Sequence, residues 1–125
     1  MHKILVVDDE PAIARLVQIS LVSSGFEVRT VGNGQSALEL LAQWQADVVV
    51  LDVMMPGLSG YEVCAAIRRQ PDLEHIKVIF LTAKSTPADV ARGLAVGGND
   101  YLAKPFDPDD LLVRITHLLN HSGKL

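Results

Sequence analysis

Apolar residues along this chain fall into short runs that each stop at a polar side chain. Residues 4–7 end at Asp8-Asp9-Glu10, residues 48–51 end at Asp52, residues 78–81 end at Thr82, and Tyr101-Leu102-Ala103 ends at Lys104. Runs this short and without alternation read as strands buried on both faces, as in a parallel sheet covered by helices. A further run, residues 26–31, has mixed polarity and suits an edge position.

Between the runs the apolar spacing turns helical. Pro11 suits a first turn, Ile13, Leu16, Val17 and Leu21 follow at helical intervals, and Gly25 closes the segment. The chain turns at Gly32-Asn33-Gly34, and Ala37, Leu38, Leu41 and Trp44 mark a second helix. Met55-Pro56-Gly57 ends the Asp52 strand, and Ser59-Gly60-Tyr61-Glu62 has the form of a capping box opening a third helix with Val63, Ala66 and Ile67; Pro71 ends it. Thr86-Pro87-Ala88-Asp89 supplies cap, proline and acid for a fourth helix with Val90, Leu94 and Ala95 on one side, stopped by Gly97-Gly98. Asp107-Pro108-Asp109-Asp110 caps a fifth, with Leu111, Leu112, Ile115, Leu118 and Leu119 inward. Strand and helix alternating five times predicts an α/β, doubly wound, five-stranded parallel sheet with right-handed crossovers. One domain over residues 1–121 is expected, with 122–125 as a C-terminal tail or the start of a linker.

Composition narrows the class. At 125 residues, 49% hydrophobic and 21% charged, the chain suits one compact core. A net charge of -4 with no basic stripe argues against direct nucleic-acid binding. The single Cys64 fits a reducing compartment and reads as a small core residue. No run reaches membrane-spanning length, so the expected address is the cytoplasm.

The chemistry lies where the strands stop. In a parallel sheet the carboxyl ends open on one rim, which gathers Asp8, Asp9, Asp52, Thr82 and Lys104. Three carboxylates in one pocket repel one another, and a hard divalent cation resolves the conflict. With a hydroxyl and an ammonium beside them, they form equipment for moving a phosphoryl group onto an aspartate. Taken singly, Asp9 or Asp52 reads equally well as a helix cap, a threonine ending a strand is more often structural, and a lysine before proline is usually a solvated charge; their joint placement argues for a site. His117 and His121 lie four apart on the last helix but have no third ligand at a known spacing.

Asp8-Asp9-Glu10, Leu51-Asp52-Val53-Met54-Met55-Pro56-Gly57-Leu58-Ser59-Gly60, Leu81-Thr82-Ala83 and Gly98-Asn99-Asp100-Tyr101-Leu102-Ala103-Lys104-Pro105-Phe106 closely resemble the receiver domain of two-component response regulators, across essentially the whole chain. The resemblance implies the flavodoxin-like strand order 2-1-3-4-5. It implies that Asp52 accepts a phosphoryl group from a histidine kinase or histidine phosphotransfer protein. Magnesium, with manganese able to take the same ligands, would be bound by Asp9, Asp52 and the backbone carbonyl of Met54, with Asp8 acting mainly through water. Lys104 would pair with the phosphoryl oxygens, Thr82 would turn inward to donate a hydrogen bond, and Tyr101 would be the aromatic switch behind it. A cis bond at Lys104-Pro105 is also implied. The protein would be a signalling receiver that catalyses only its own phosphorylation and dephosphorylation. The fourth helix, fifth strand and fifth helix would signal to a downstream effector protein or fused output domain, or form a homodimer. Asp100 and Arg114 stand where related regulators make cross-dimer ion pairs, though they read equally well as two solvated charges. Gly98 stands where alanine is commoner, and a looser loop before Tyr101 is expected.

Two other readings of the same fold fare worse. An aspartyl phosphatase acting on outside substrates wants D-x-D-x-T, and Met54 holds the second aspartate's place. A flavin carrier wants a phosphate-binding loop where this chain has Asp8-Asp9-Glu10. A receiver-shaped module that no longer accepts phosphate lacks such a contradiction, but the complete set of acids, threonine and lysine argues against it.

Overall fold

The computed structural model describes residues 1–120; His121 and the expected tail lie outside them. Five parallel strands, β1 (Lys3–Val7), β2 (Glu27–Val31), β3 (Val48–Leu51), β4 (Lys77–Thr82) and β5 (Asp100–Ala103), are ordered β2-β1-β3-β4-β5. Five helices connect and follow them: α1 (Pro11–Ser23), α2 (Gly34–Leu41), α3 (Gly60–Arg68), α4 (Pro87–Ala95) and α5 (Pro108–Asn120). The doubly wound architecture and strand order are as expected.

The uninterrupted apolar runs follow from a core on each side of the sheet. Leu5, Val7, Val49, Leu51, Val78 and Phe80 point to the side covered by α2 and α3. Ile4, Val6, Val48, Val50, Ile79 and Leu81 point to the side covered by α1 and α5. Because successive side chains alternate, every position of the apolar runs 4–7, 48–51 and 78–81 is buried, and no polar residue interrupts them before the strand ends.

Local signals act as written. Ser59 accepts the Glu62 amide while the Glu62 carboxylate accepts the Ser59 amide, completing the capping box of α3. Thr86 and Asp89 make the same reciprocal pair at α4. Gly60 is required for another reason: a Cβ there would collide with the Asp52 carbonyl oxygen and lie 2.8 Å from the Val53 Cα. The start of α3 therefore rests directly on the backbone that carries Asp52.

Several expectations are corrected. Trp44 lies beyond α2, buried in the turn that follows, with the Arg29 guanidinium 4.8 Å from its ring centre. Leu16 is 45% exposed and Leu94 50% exposed, and Ala95 is exposed as well. What α4 buries is Gly93, against Tyr101 and Phe80. A 3-10 turn, Pro71–Leu73, follows α3 and buries Leu73. The loop before Tyr101 is tied rather than loosened. Arg68 donates from Nε to the Gly97 carbonyl at 2.9 Å, from one terminal nitrogen to Ile76 O at 2.7 Å and from the other to Asn99 Oδ1 at 2.9 Å. Gly98 is close-packed: a Cβ there would lie 2.5 Å from Phe80 Cε2 and 2.8 Å from Gly93 O. No helix among the described residues is long and apolar enough to cross a membrane.

Candidate functional site

Four of the five strands, β1, β3, β4 and β5, deliver a polar residue to one rim. The Asp52 amide donates to Val7 O at 3.0 Å and the Asp8 amide to Val31 O at 3.1 Å, so the sheet's hydrogen bonding fixes both aspartates just past their strands. The Lys104 amide donates to Thr82 O at 2.9 Å, which sets β5's end beside that of β4. The Lys104-Pro105 peptide is cis, as the resemblance implies.

Lys104 is the hub. Its ammonium donates to Asp8 Oδ2 at 2.9 Å, Glu10 Oε1 at 2.9 Å and Asp52 Oδ2 at 3.3 Å. Asp8 and Asp52 are buried, while Glu10 reaches in from the solvent side. Asp8 Oδ1 also accepts the Glu10 amide at 2.9 Å, and Asp52 Oδ1 accepts the Met54 amide at 3.2 Å. Burial pushes the Asp8 carboxyl above its ordinary value, against the opposing pull of the Glu10 amide and Lys104. Burial works against the Lys104 charge too, but the bonds to Asp8 and Glu10 and the charge of Asp52 outweigh it, and the ammonium is held above its usual range.

Asp9, Glu10, Asp52, Met54, Ala83 and Lys104 line a cavity of about 290 Å³ at this rim. Ligand atoms of Asp8, Glu10 and Asp52 all lie within 4.8 Å of one another. Three carboxylates facing one ammonium leave excess negative charge in a half-closed pocket, and an all-oxygen donor set suits a hard divalent cation such as magnesium or manganese. The residues present therefore fit a metal. Asp9 lines the cavity but stands outside the group of three carboxylates. Glu10 stands inside it, although sequence reasoning treated it only as part of an acidic stop. No spacing rule marks it: its carboxylate reaches Lys104, 94 residues away, because the chain turns from Asp8 into α1 there.

Thr82 ends β4 fully buried and does not line the cavity; its Oγ1 accepts the Lys84 amide at 3.2 Å. Tyr101 packs on Phe80, ring centres 5.4 Å apart, and its hydroxyl donates to the Lys84 carbonyl. Burial, reinforced by the Tyr61 hydroxyl beside it, raises the Tyr101 phenol well above its ordinary value. Arg114 pairs within the chain, with Asp100 at 2.9 Å and Asp110 at 3.1 Å, so both residues expected at a dimer interface already have partners.

The description of the response regulator receiver domain matches residues 4–116. The chain belongs to the response regulator receiver family. The receiver is 39% identical over 122 residues to the phosphate regulon transcriptional regulatory protein PhoB of Rhizobium meliloti (strain 1021), covering 98% of this chain and 54% of that protein. It is 38% identical over 125 residues to the DNA-binding dual master transcriptional regulator RpaA of Synechocystis, covering all of this chain and 52% of that protein. Among solved structures, the receiver matches the chemotaxis protein CheY4 of Vibrio cholerae with a TM-score of 0.89 at 35% identity, covering 94% of this chain and 98% of that one. The receiver spans about half the length of the curated relatives it matches.

Proposed function

We propose that this receiver, residues 1–121 of the chain, takes a phosphoryl group onto Asp52 from a phosphohistidine of a histidine kinase or histidine phosphotransfer protein. A carboxylate oxygen of Asp52 attacks phosphorus, the phosphorus–nitrogen bond of the donor breaks, and the imidazole leaves with the bonding pair. The product is an acyl phosphate on Asp52. The observation that carries this reading is the convergence of buried Asp52 and buried Asp8 on the Lys104 ammonium, beside the cavity that Asp52 and Lys104 line. Lys104 is placed to transfer its bonds from the carboxylates to the incoming phosphoryl oxygens, a charge-assisted contact.

Asp9, Asp52 and the Met54 carbonyl, with Asp8 acting through water, are the ligands we assign to magnesium or manganese; the nearness of Glu10 makes it a further candidate. When bound, the cation neutralises charge shared between the carboxylates and the phosphoryl oxygens. Thr82 gives its hydroxyl to the phosphoryl group, and Tyr101 follows behind it. The changed surface of α4, β5 and α5 then acts on an effector protein, a fused output domain or a second copy of the chain. Self-association through that surface requires Arg114 to exchange its partners within the chain for partners across the interface.

Intact-mass measurement after incubation with acetyl phosphate and magnesium tests the proposal. One added phosphoryl group on the parent and none on Asp52→Asn is the expected result. An unmodified parent, or a modified Asp52→Asn, overturns it.

A further inference from the structure

Tyr61 is 2% exposed, packed edge-on to Phe80 with ring centres 5.5 Å apart, and the Arg92 guanidinium lies 4.6 Å from its ring centre. A phenylalanine would satisfy all of that packing. The hydroxyl has a separate set of neighbours. It lies 3.0 Å from the Asp89 carbonyl in the first turn of α4 and 2.9 Å from the Tyr101 hydroxyl. Tyr101 in turn meets the Lys84 carbonyl, and the Lys84 amide meets Thr82 Oγ1. Thr82, Lys84, Tyr101, Tyr61 and Asp89 thus form one continuous run of polar contacts from the end of β4 to α4.

Proton counting makes this run a device with two settings. Each phenol has one proton to donate, and the two carbonyls have none. Three contacts, Tyr101 with Lys84 O, Tyr101 with Tyr61, and Tyr61 with Asp89 O, share two protons. When Tyr101 donates to Lys84, Tyr61 serves either Tyr101 or Asp89. When Tyr101 donates to Tyr61, Tyr61 serves Asp89 and the Lys84 carbonyl loses its phenol donor. With Tyr101 on Lys84 the β4–α4 loop is fastened, and the helix with it when Tyr61 donates to Asp89; with Tyr101 on Tyr61 only the helix is fastened. Coupling between distant sites needs an element of this kind, with discrete arrangements that both ends can bias.

We infer that Tyr61 is a positioning residue of the switch, whose hydroxyl holds Tyr101 inward and passes a change at Thr82 and Lys84 to the first turn of α4. The inference rests on the reading of Asp52 as phosphoryl acceptor. Tyr61 is not among the residues lining the Asp52 cavity, so its hydroxyl is dispensable for the acceptor chemistry.

Tyr61 and Tyr101 are the two tyrosines of the chain, so tyrosine carrying 13C at the ring carbon bonded to oxygen gives one resonance for each. The spectra are recorded for the parent, Tyr61→Phe and Tyr101→Phe, with and without magnesium and beryllofluoride as the phosphoryl mimic. In Tyr61→Phe the Tyr101 resonance is expected to move before any mimic is added, and its response to the mimic to shrink. Amide exchange in the first turn of α4 is expected to quicken about fivefold, the equivalent of one neutral hydrogen bond. Tyr101→Phe, which keeps the test valid if the first variant folds poorly, is expected to move the Tyr61 resonance. Labelling of Asp52 by acetyl phosphate in Tyr61→Phe is expected to match the parent. A labelled parent in which neither resonance responds to loss of the other hydroxyl overturns the role of Tyr61 alone. An unlabelled parent overturns the acceptor reading and the switch role with it.

Discussion

Lys104 Nζ reaches past the ends of β4 and β3 to lie 2.9 Å from Asp8 Oδ2, beyond the end of β1. Both side chains are largely enclosed, 11% and 3% exposed, and Asp52 lies between them in strand order at 3.3 Å from the same ammonium. One cation therefore holds together carboxylates that would otherwise repel. Lys104→Met should lower metal-free stability by about 1–3 kcal/mol, since it takes the charged donor from the buried Asp8 Oδ2 and Asp52 Oδ2. Magnesium should restore more stability to the variant than it adds to the parent, because it takes over the vacated role. Urea unfolding with chelator and with magnesium measures both; equal gains in the two proteins would mean that the cation does not take over from Lys104, and no gain in either would rule out the carboxylates as a cation site.

Gly93 leaves room for Tyr101. A Cβ there would lie 2.7 Å from Tyr101 Cε2 and 3.1 Å from Phe80 Cδ2. Gly93→Ala should cost about 1–3 kcal/mol by overpacking, against a helix-propensity gain of about 1 kcal/mol. In a Tyr101→Ala background the main obstacle is gone, and the same substitution should become close to neutral. A double-mutant cycle by chemical denaturation reads the coupling; additive effects would mean that α4 does not bear on the Tyr101 ring.

The Tyr101 phenol gives a signature at alkaline pH. Burial and the Tyr61 hydroxyl raise its pKa in the folded protein, while the unfolded chain releases the proton near its ordinary value of about 10. The stability it contributes is therefore complete below about pH 10 and is lost as pH climbs from there towards the folded value. Lys104, also raised, acts with the same sign, so the useful comparison is with Tyr101→Phe, which keeps the lysine. Stability of the parent should fall more steeply with rising pH than that of the variant. Parallel curves would contradict this.

Met54 bears on how long the acyl phosphate lasts. Its side chain is 59% exposed at the mouth of the cavity and has no strong donor or acceptor with which to orient a water molecule for attack on phosphorus. The phosphorylated protein should persist well beyond seconds without an added phosphatase, and Met54→Asn should shorten its life. Loss of the added mass, followed over time in both proteins, decides the matter. A half-life of seconds in the parent would remove Met54 from the account.

Much of the architecture is legible because parallel strands buried on both faces must be written as unbroken apolar runs, and each run must end at a polar residue where it reaches the rim. The runs ending at Asp52, Thr82 and Lys104 place those residues before any contact is known. The face of α4 is not legible, because the residue it buries is a glycine, and an absence of side chain leaves no apolar signal. Periodicity points to Leu94 and Ala95 instead, and both face solvent. The contact of Glu10 with Lys104 and the pairing of the Tyr61 and Tyr101 hydroxyls are equally hidden. They depend on where the chain brings side-chain tips, which spacing along one element does not encode.

The crowding at Gly98 limits how this protein can be improved by borrowing. Replacing a glycine with alanine, where the backbone allows it, ordinarily strengthens a protein by stiffening its unfolded chain. Here the volume an extra methyl group would need is already taken by the Phe80 ring and the Gly93 carbonyl. Pushing Phe80 aside would disturb Tyr61 and Tyr101 together, since both lean on it. An alanine graft at Gly98 would trade signalling fidelity for no gain in robustness, and a library meant to toughen this scaffold should hold that position fixed.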